Sequence, residues 1–220
     1  MNPLRVLLAA ACASGSMTAA LLPTAGCATP PATAEKIAAV PMGTVTTYHR
    51  KSSGSLGDFD GKVVWTHAPA TWQGEAVIAF GAPQAGISLH ETVHFGMLAT
   101  LDAEGRPQVS FDPPFNFPWP LEVGKTWRTA YRVTMHASGR SGTSTITGRV
   151  ESLERVTVPA GTFEAYKVVW SNDLGESETR WISPDHGIAT VKRHVERSAS
   201  HPQGAGVLDA ELLSRVVPTK

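Results

Sequence analysis

His90-Glu91-Thr92-Val93-His94 carries the letters of the zinc-protease pattern H-E-x-x-H. On a helix, positions i and i+4 share a face about 6 Å apart, so two imidazoles can hold one zinc with the glutamate as general base. On a strand the same histidines stand about 13 Å apart, at ~3.3 Å per residue. That is too far to share an ion held at ~2.0–2.1 Å by each ring. Secondary structure therefore decides the chemistry. Ile87, Leu89, Val93 and Phe95 alternate with Ser88, His90, Thr92 and His94. The alternation predicts a strand over 87–101 with both histidines on its polar face. A zinc hydrolase built on His90, Glu91 and His94 is the alternative. The expectation is a non-enzymatic chain with no catalytic residue, metal or cofactor.

Cys27 offers a different chemistry, set by what precedes it. The first 26 residues hold one charge, Arg5, and no acid. Two apolar runs, 6–13 and 19–22, are too short and too broken for a spanning helix, which needs ~20 apolar residues. Leu22-Pro23-Thr24-Ala25-Gly26-Cys27 then resembles the cleavage site of bacterial lipoproteins. Small residues fit a peptidase in extended form, and the cysteine supplies sulfur for acylation. Thr24 departs from the pattern, which there carries Leu, Val or Ile. The segment predicts export to the periplasm and a lipid anchor at Cys27, with the outer membrane favoured. Cleavage after Ala32-Thr33-Ala34 would instead leave a soluble periplasmic or secreted chain.

Composition narrows the partners. Arg5 is the only charge in that leader, so the remaining chain carries 18 basic against 19 acidic side chains. Near-neutrality without a basic run argues against nucleic acid. Beyond Cys12 in the leader, Cys27 is the only cysteine, which excludes an internal disulfide and any cysteine-based site in the folded domain. No G-x-S-x-G, G-x-G-x-x-G or P-loop occurs.

The elements that must position these residues read as strands throughout. Trp127, Thr129, Tyr131, Val133 and Met135 fall on one face of a strand, with Arg128, Arg132, Thr134 and His136 on the other. Further strands are predicted at 44–48, 62–67, 75–80, 107–111, 143–158, 164–170, 176–182, 188–197 and 207–217. The breaks are short and carry turn chemistry, as in Asp58-Phe59-Asp60-Gly61, Pro159-Ala160-Gly161 and Pro184-Asp185-His186-Gly187. Short breaks imply antiparallel neighbours. The 143–158 strand loses phase near Leu153, which predicts a bulge. Asp112 to Pro120 holds four prolines and reads as a connector whose aromatics pin it over the sheet or form a lip on a ligand cavity. The fold class is all-β: a curved antiparallel meander forming a barrel or half-barrel. The organisation is a signal over 1–26, a flexible tether over 27–42, and a single β domain over 43–220.

Three segments carry a family resemblance. They are Pro120-Leu121-Glu122-Val123-Gly124-Lys125-Thr126-Trp127, then Val158-Pro159-Ala160-Gly161-Thr162-Phe163-Glu164-Ala165-Tyr166-Lys167-Val168, then Trp181-Ile182-Ser183-Pro184-Asp185-His186-Gly187-Ile188. Together they resemble the TapB-like group of exported bacterial β-rich proteins of unknown function, over roughly residues 116–217. The resemblance implies a curved antiparallel sheet in the cell envelope and implies no reaction. Together with the anchor, the reading is an envelope lipoprotein that binds an apolar ligand or an envelope protein partner. A structural assembly adaptor is the remaining alternative.

Overall fold

The structure is a computed structural model that describes residues 33–82 and 86–219. Cys27 and the leader lie outside the described residues. In chain order the strands are β1 Thr33–Ala34, β2 Val45–Gly54, β3 Phe59–Trp72, β4 Glu75–Ala82, β5 Gly86–His90, β6 Met97–Leu101 and β7 Pro107–Phe115. There follow β8 Leu121–Glu122, β9 Thr126–Met135, β10 Arg140–Val158, β11 Gly161–Asn172, β12 Glu176–Ser183, β13 Ile188–Arg197 and β14 Gly206–Val216.

Twelve of these strands form a closed antiparallel barrel, and consecutive members are neighbours almost throughout. The ring closes where β14 meets β2, from Val216 opposite Val45 to Gly206 opposite Gly54. β7 pairs with β9 directly. The short β8 leaves the ring and pairs with β1 through Thr33–Glu122 and Ala34–Leu121. Closure removes free sheet edges, which would otherwise pair with other chains.

Alternation sorts side chains between inside and outside. Tyr166, Val168 and Trp170 are buried together on β11, and Tyr131 is buried on β9 while Arg128 and Arg132 stay exposed. Outward positions carry cross-strand charge pairs: His49–Asp60 at 2.8 Å, Lys192–Glu211 at 3.0 Å and His194–Asp209 at 2.8 Å. A membrane-spanning barrel shows the opposite pattern, an apolar outer band around a polar interior.

Separate apolar clusters pack within the wall. Tyr48, Ala165, Ile188, Val191 and Leu212 pack in one, and Leu121, Val150, Val168 and Ile182 in another. Gly148 sits opposite Trp127 on the neighbouring strand. A Cβ at Gly148 would lie 2.5 Å from the Trp127 ring and 2.6 Å from the Val169 carbonyl, so only glycine admits the indole there.

Several sequence expectations need correction. The 87–101 strand is a hairpin: β5 ends at His90, residues 92–94 form a turn, and β6 starts at Met97. Phe95 takes a positive φ of 58°, which an unbroken strand does not permit. Asp58-Phe59-Asp60-Gly61 is not the turn; that turn lies over 55–58, and Phe59 already opens β3. β7 continues through Pro113 and Pro114 to Phe115, which lies opposite Met97. The bulge falls between Val150 and Ser152, slightly before Leu153.

The segment expected as a tether over 27–42 is described from Thr33, and that part is fastened to the barrel. Ile37 is buried, and Ala38 N donates to the Pro184 carbonyl at 2.8 Å. Gly187, at φ 64°, lets it approach: a Cβ there would stand 2.8 Å from the Ala38 carbonyl. Backbone bonding supplies this docking, which composition alone does not foresee. Among the described residues no helix is long and apolar enough to cross a membrane.

Candidate functional site: a cavity inside the barrel

The barrel encloses a cavity of about 550 Å³. That lies within the roughly 300–1,000 Å³ typical of small-molecule sites. Its lining is mostly apolar and aromatic, and two ring clusters dominate it. In one, Phe80 stacks on Trp65 with centroids 4.8 Å apart, and Phe95 stacks on His90 at 4.0 Å. In the other, Phe115 meets Phe111, Tyr131 and Trp170 edge-on or tilted at 5.4–5.9 Å. The docked segment Ile37 to Val40 lines the cavity too, at the barrel end that carries the β12–β13 hairpin.

The proline-rich stretch contributes Phe115, Phe117 and Trp119 to this lining. Both roles proposed for its aromatics, pinning and lining, therefore fall on the same side chains. Trp119 Nε1 donates to the His94 carbonyl at 3.2 Å and the Asn116 side-chain oxygen at 3.1 Å.

The H-E-x-x-H residues do not form a metal site. His90 is buried in the cavity wall: its Nδ1 donates to the Phe95 carbonyl at 3.0 Å, and its Nε2 lies 2.9 Å from Ser88 Oγ. Glu91 accepts from Asn116 Nδ2 at 2.8 Å. His94 sits in the turn and stacks on Trp119. His90 shares a face of β5 with Ser88, as alternation predicts, but that face is the cavity wall and not a solvated one, and His94 lies in the turn beyond the strand. Without a helix the two rings lack the shared face that zinc ligation by this motif needs. Among the described residues no group of three or more His, Cys, Asp or Glu could hold a metal ion.

The sequence reading missed a charged layer across this wall. Arg50 on β2 lies opposite Ala210 on β14, Ala210 opposite Arg193 on β13, and Arg193 opposite Arg180 on β12. Glu178, two residues before Arg180, has a fully buried side chain. It accepts from Arg193 Nη2 at 3.0 Å and from Arg180 Nε. Burial alone would raise the Glu178 pKa, but the two guanidiniums outweigh it and hold the carboxyl below its ordinary value. Arg180 also lies over the Phe117 ring at 5.1 Å. Arg50 donates to the Leu56 carbonyl at 2.9 Å, and its pKa is lowered by burial and then by repulsion from Arg193. Tyr48, whose pKa burial raises, donates to the Thr190 carbonyl at 3.0 Å.

A signal for this layer exists in the sequence. Glu178 and Arg180 share the phase of Ile182, and Arg193 shares the phase of Val191 and Val195. Charge on the apolar phase of a strand marks either an error in the assignment or a polar site inside the barrel.

No protein family and no curated protein matches the chain in sequence. Solved structures that resemble it in shape include three bacterial proteins. One is a candidate exported protein with a YmcC-like fold from Bacteroides fragilis (13% identity, TM-score 0.46, covering 82% of this chain and 99% of that one). Another is the hypothetical lipoprotein YmcC from Escherichia coli (14% identity, TM-score 0.45, covering 84% and 91%). The third is a candidate lipoprotein from Parabacteroides distasonis (12% identity, TM-score 0.42, covering 82% and 99%). The chain is distantly similar to these proteins, and similarity of this degree does not place it in a family.

Proposed function

We propose that this is an exported, lipid-anchored, non-enzymatic protein that holds an apolar ligand inside its barrel. The cavity of about 550 Å³, lined by aromatic and aliphatic side chains, is the observation that carries the reading. A barrel of this width can be filled by its own side chains or can retain a void, and here it retains one. Support for the anchor comes from the sequence around Cys27. Acylated there, the chain would keep Ile37, ten residues on, within ~35 Å of the bilayer surface, since extended chain spans at most ~3.6 Å per residue.

Two measurements test the reading. Cells labelled with a fatty-acid analogue should incorporate label into the native chain and not into Cys27→Ala; equal label in both removes the anchor. The full-length chain, stripped of lipid on a hydrophobic resin and presented with envelope lipids, should show a one-to-one adduct by native mass spectrometry. Repeated absence of any adduct removes the ligand-binding reading.

A further inference from the structure

The charge inside the cavity specifies the ligand further. Its charged lining residues are Arg50, Arg180, Arg193, Arg197 and Arg215 against Glu176 and Glu178, an excess of three positive charges. The acids are already engaged. Glu178 is shared by Arg180 and Arg193, and Glu176 accepts from Arg197 Nε at 2.6 Å. Arg215 donates to the His186 carbonyl at 2.7 Å. Arg50 has no carboxylate partner among the described hydrogen bonds, only the Leu56 carbonyl.

Two guanidinium nitrogens in this layer are left without partners. Arg50 Nε and Arg193 Nε are both buried and make no hydrogen bond. A buried donor without an acceptor is costly, and more so on a cation. These two arginines are two strands apart on one level of the ring, so their Cα atoms stand roughly 10 Å apart at ~4.8 Å per strand. Long side chains from both can converge on one small anion. Guanidinium groups suit carboxylate and phosphate oxygens because the N–H groups are arranged as a planar fork. Around this layer the wall is aromatic: Phe117 lies against Arg180, and the Phe115 cluster and the Trp65–Phe80 pair line the rest.

We infer that the cavity takes an anionic amphiphile, its carboxylate or phosphate head held by Arg50 and Arg193 and its hydrocarbon tail lying along the aromatic wall. This rests on the ligand-binding reading above and adds the head-group chemistry to it. An apolar ligand without a head would leave the positive excess of the cavity lining uncompensated. A free anion would compensate the charge and leave the apolar wall unfilled.

The test compares chains of equal length with different heads. The full-length protein, stripped of lipid, is titrated at mildly alkaline pH with hexadecanoate, hexadecyl phosphate, hexadecanol and inorganic phosphate, and binding is read by native mass spectrometry and by tryptophan fluorescence. The expected result is binding of both anionic chains at least about tenfold tighter than hexadecanol. Arg50→Met should weaken the anionic chains by about tenfold and lower the acid-to-alcohol ratio accordingly. Equal binding of acid and alcohol by the native chain overturns the head-group assignment and leaves the cavity reading intact. Binding of no chain at all overturns both. Inorganic phosphate binding as tightly as hexadecyl phosphate overturns the amphiphile in favour of a simple anion site. Should Arg50→Met fail to fold, the acid-to-alcohol ratio of the native chain still decides the matter.

Discussion

Arg193 reaches diagonally across the β12–β13 ladder to Glu178, Nη2 to Oε2 at 3.0 Å, although Arg193 stands directly opposite Arg180. The diagonal contact keeps two like charges on adjacent strands compatible: one buried carboxylate serves both guanidiniums. Opposed like charges without it would destabilise the ladder.

Glu178→Ala should therefore destabilise the barrel severely. Removing one member of a buried ionic set leaves the others uncompensated, at about 3–5 kcal/mol. Chemical denaturation of the variant against the native chain measures this. A loss below about 1 kcal/mol would show that the two arginines find water or another acceptor without Glu178.

Stability should fall with acid before carboxylates begin to titrate. Burial lowers the pKa of both His67 and His90 to about 4 from an ordinary 6.5. For His67 the backbone contact with Thr44 opposes the shift and Arg215 adds to it. For His90 the Phe95 carbonyl opposes it, while Arg180 and His67 add to it. Above pH 6.5 the rings are neutral in both states and contribute no slope. As pH falls from 6.5 towards about 4, the unfolded chain binds protons that the folded chain refuses, so stability drops. Each group is worth up to about 3 kcal/mol over the full window. His90→Gln should flatten this fall in denaturation curves collected across the window. An unchanged slope would show that His90 carries its proton inside the barrel.

Gly148→Ala tests the contact with Trp127. The added Cβ would meet the indole at 2.5 Å and the Val169 carbonyl at 2.6 Å, and backbone on one side leaves little room to give. Overpacking of this kind costs about 1–3 kcal/mol. Melting curves and near-ultraviolet dichroism of the tryptophans should report both the loss and the displaced ring. Native-like melting would mean that Trp127 has another rotamer available at no cost.

Gly187→Ala should undock the chain ahead of the barrel. The position needs φ 64°, and the methyl would press on the Ala38 carbonyl at 2.8 Å. The backbone term alone is about 1–2 kcal/mol. Proteolysis should then cut within 33–42 faster than in the native chain, while the barrel itself resists. Equal cutting rates in both would show that Ile37 holds the segment without the Ala38–Pro184 bond.

Much of the wall was legible in the sequence because each strand reports its own phase. Tyr131 against Arg132, and Val168 against Lys167, fall on the sides that alternation predicts. The reading failed beyond His90, where two short strands and a turn share one apolar rhythm. Nothing local distinguishes six alternating residues that continue from six that fold back. The cavity residues were harder. Arg50, Arg180 and Arg193 lie far apart in sequence, and a β-strand pattern with one charge on its apolar side names no partner.

By itself the sequence determined the fold class and the antiparallel neighbours, since these depend on period and turn length within short windows. The local order of residues around Cys27 is what motivates the proposed anchor. Only the tertiary structure decided that the meander closes, through β14 against β2, because that pairing joins segments more than 150 residues apart. Closure turns one face of every strand into the wall of a single interior. It thereby brings three arginines of three separate strands to one level around the same void.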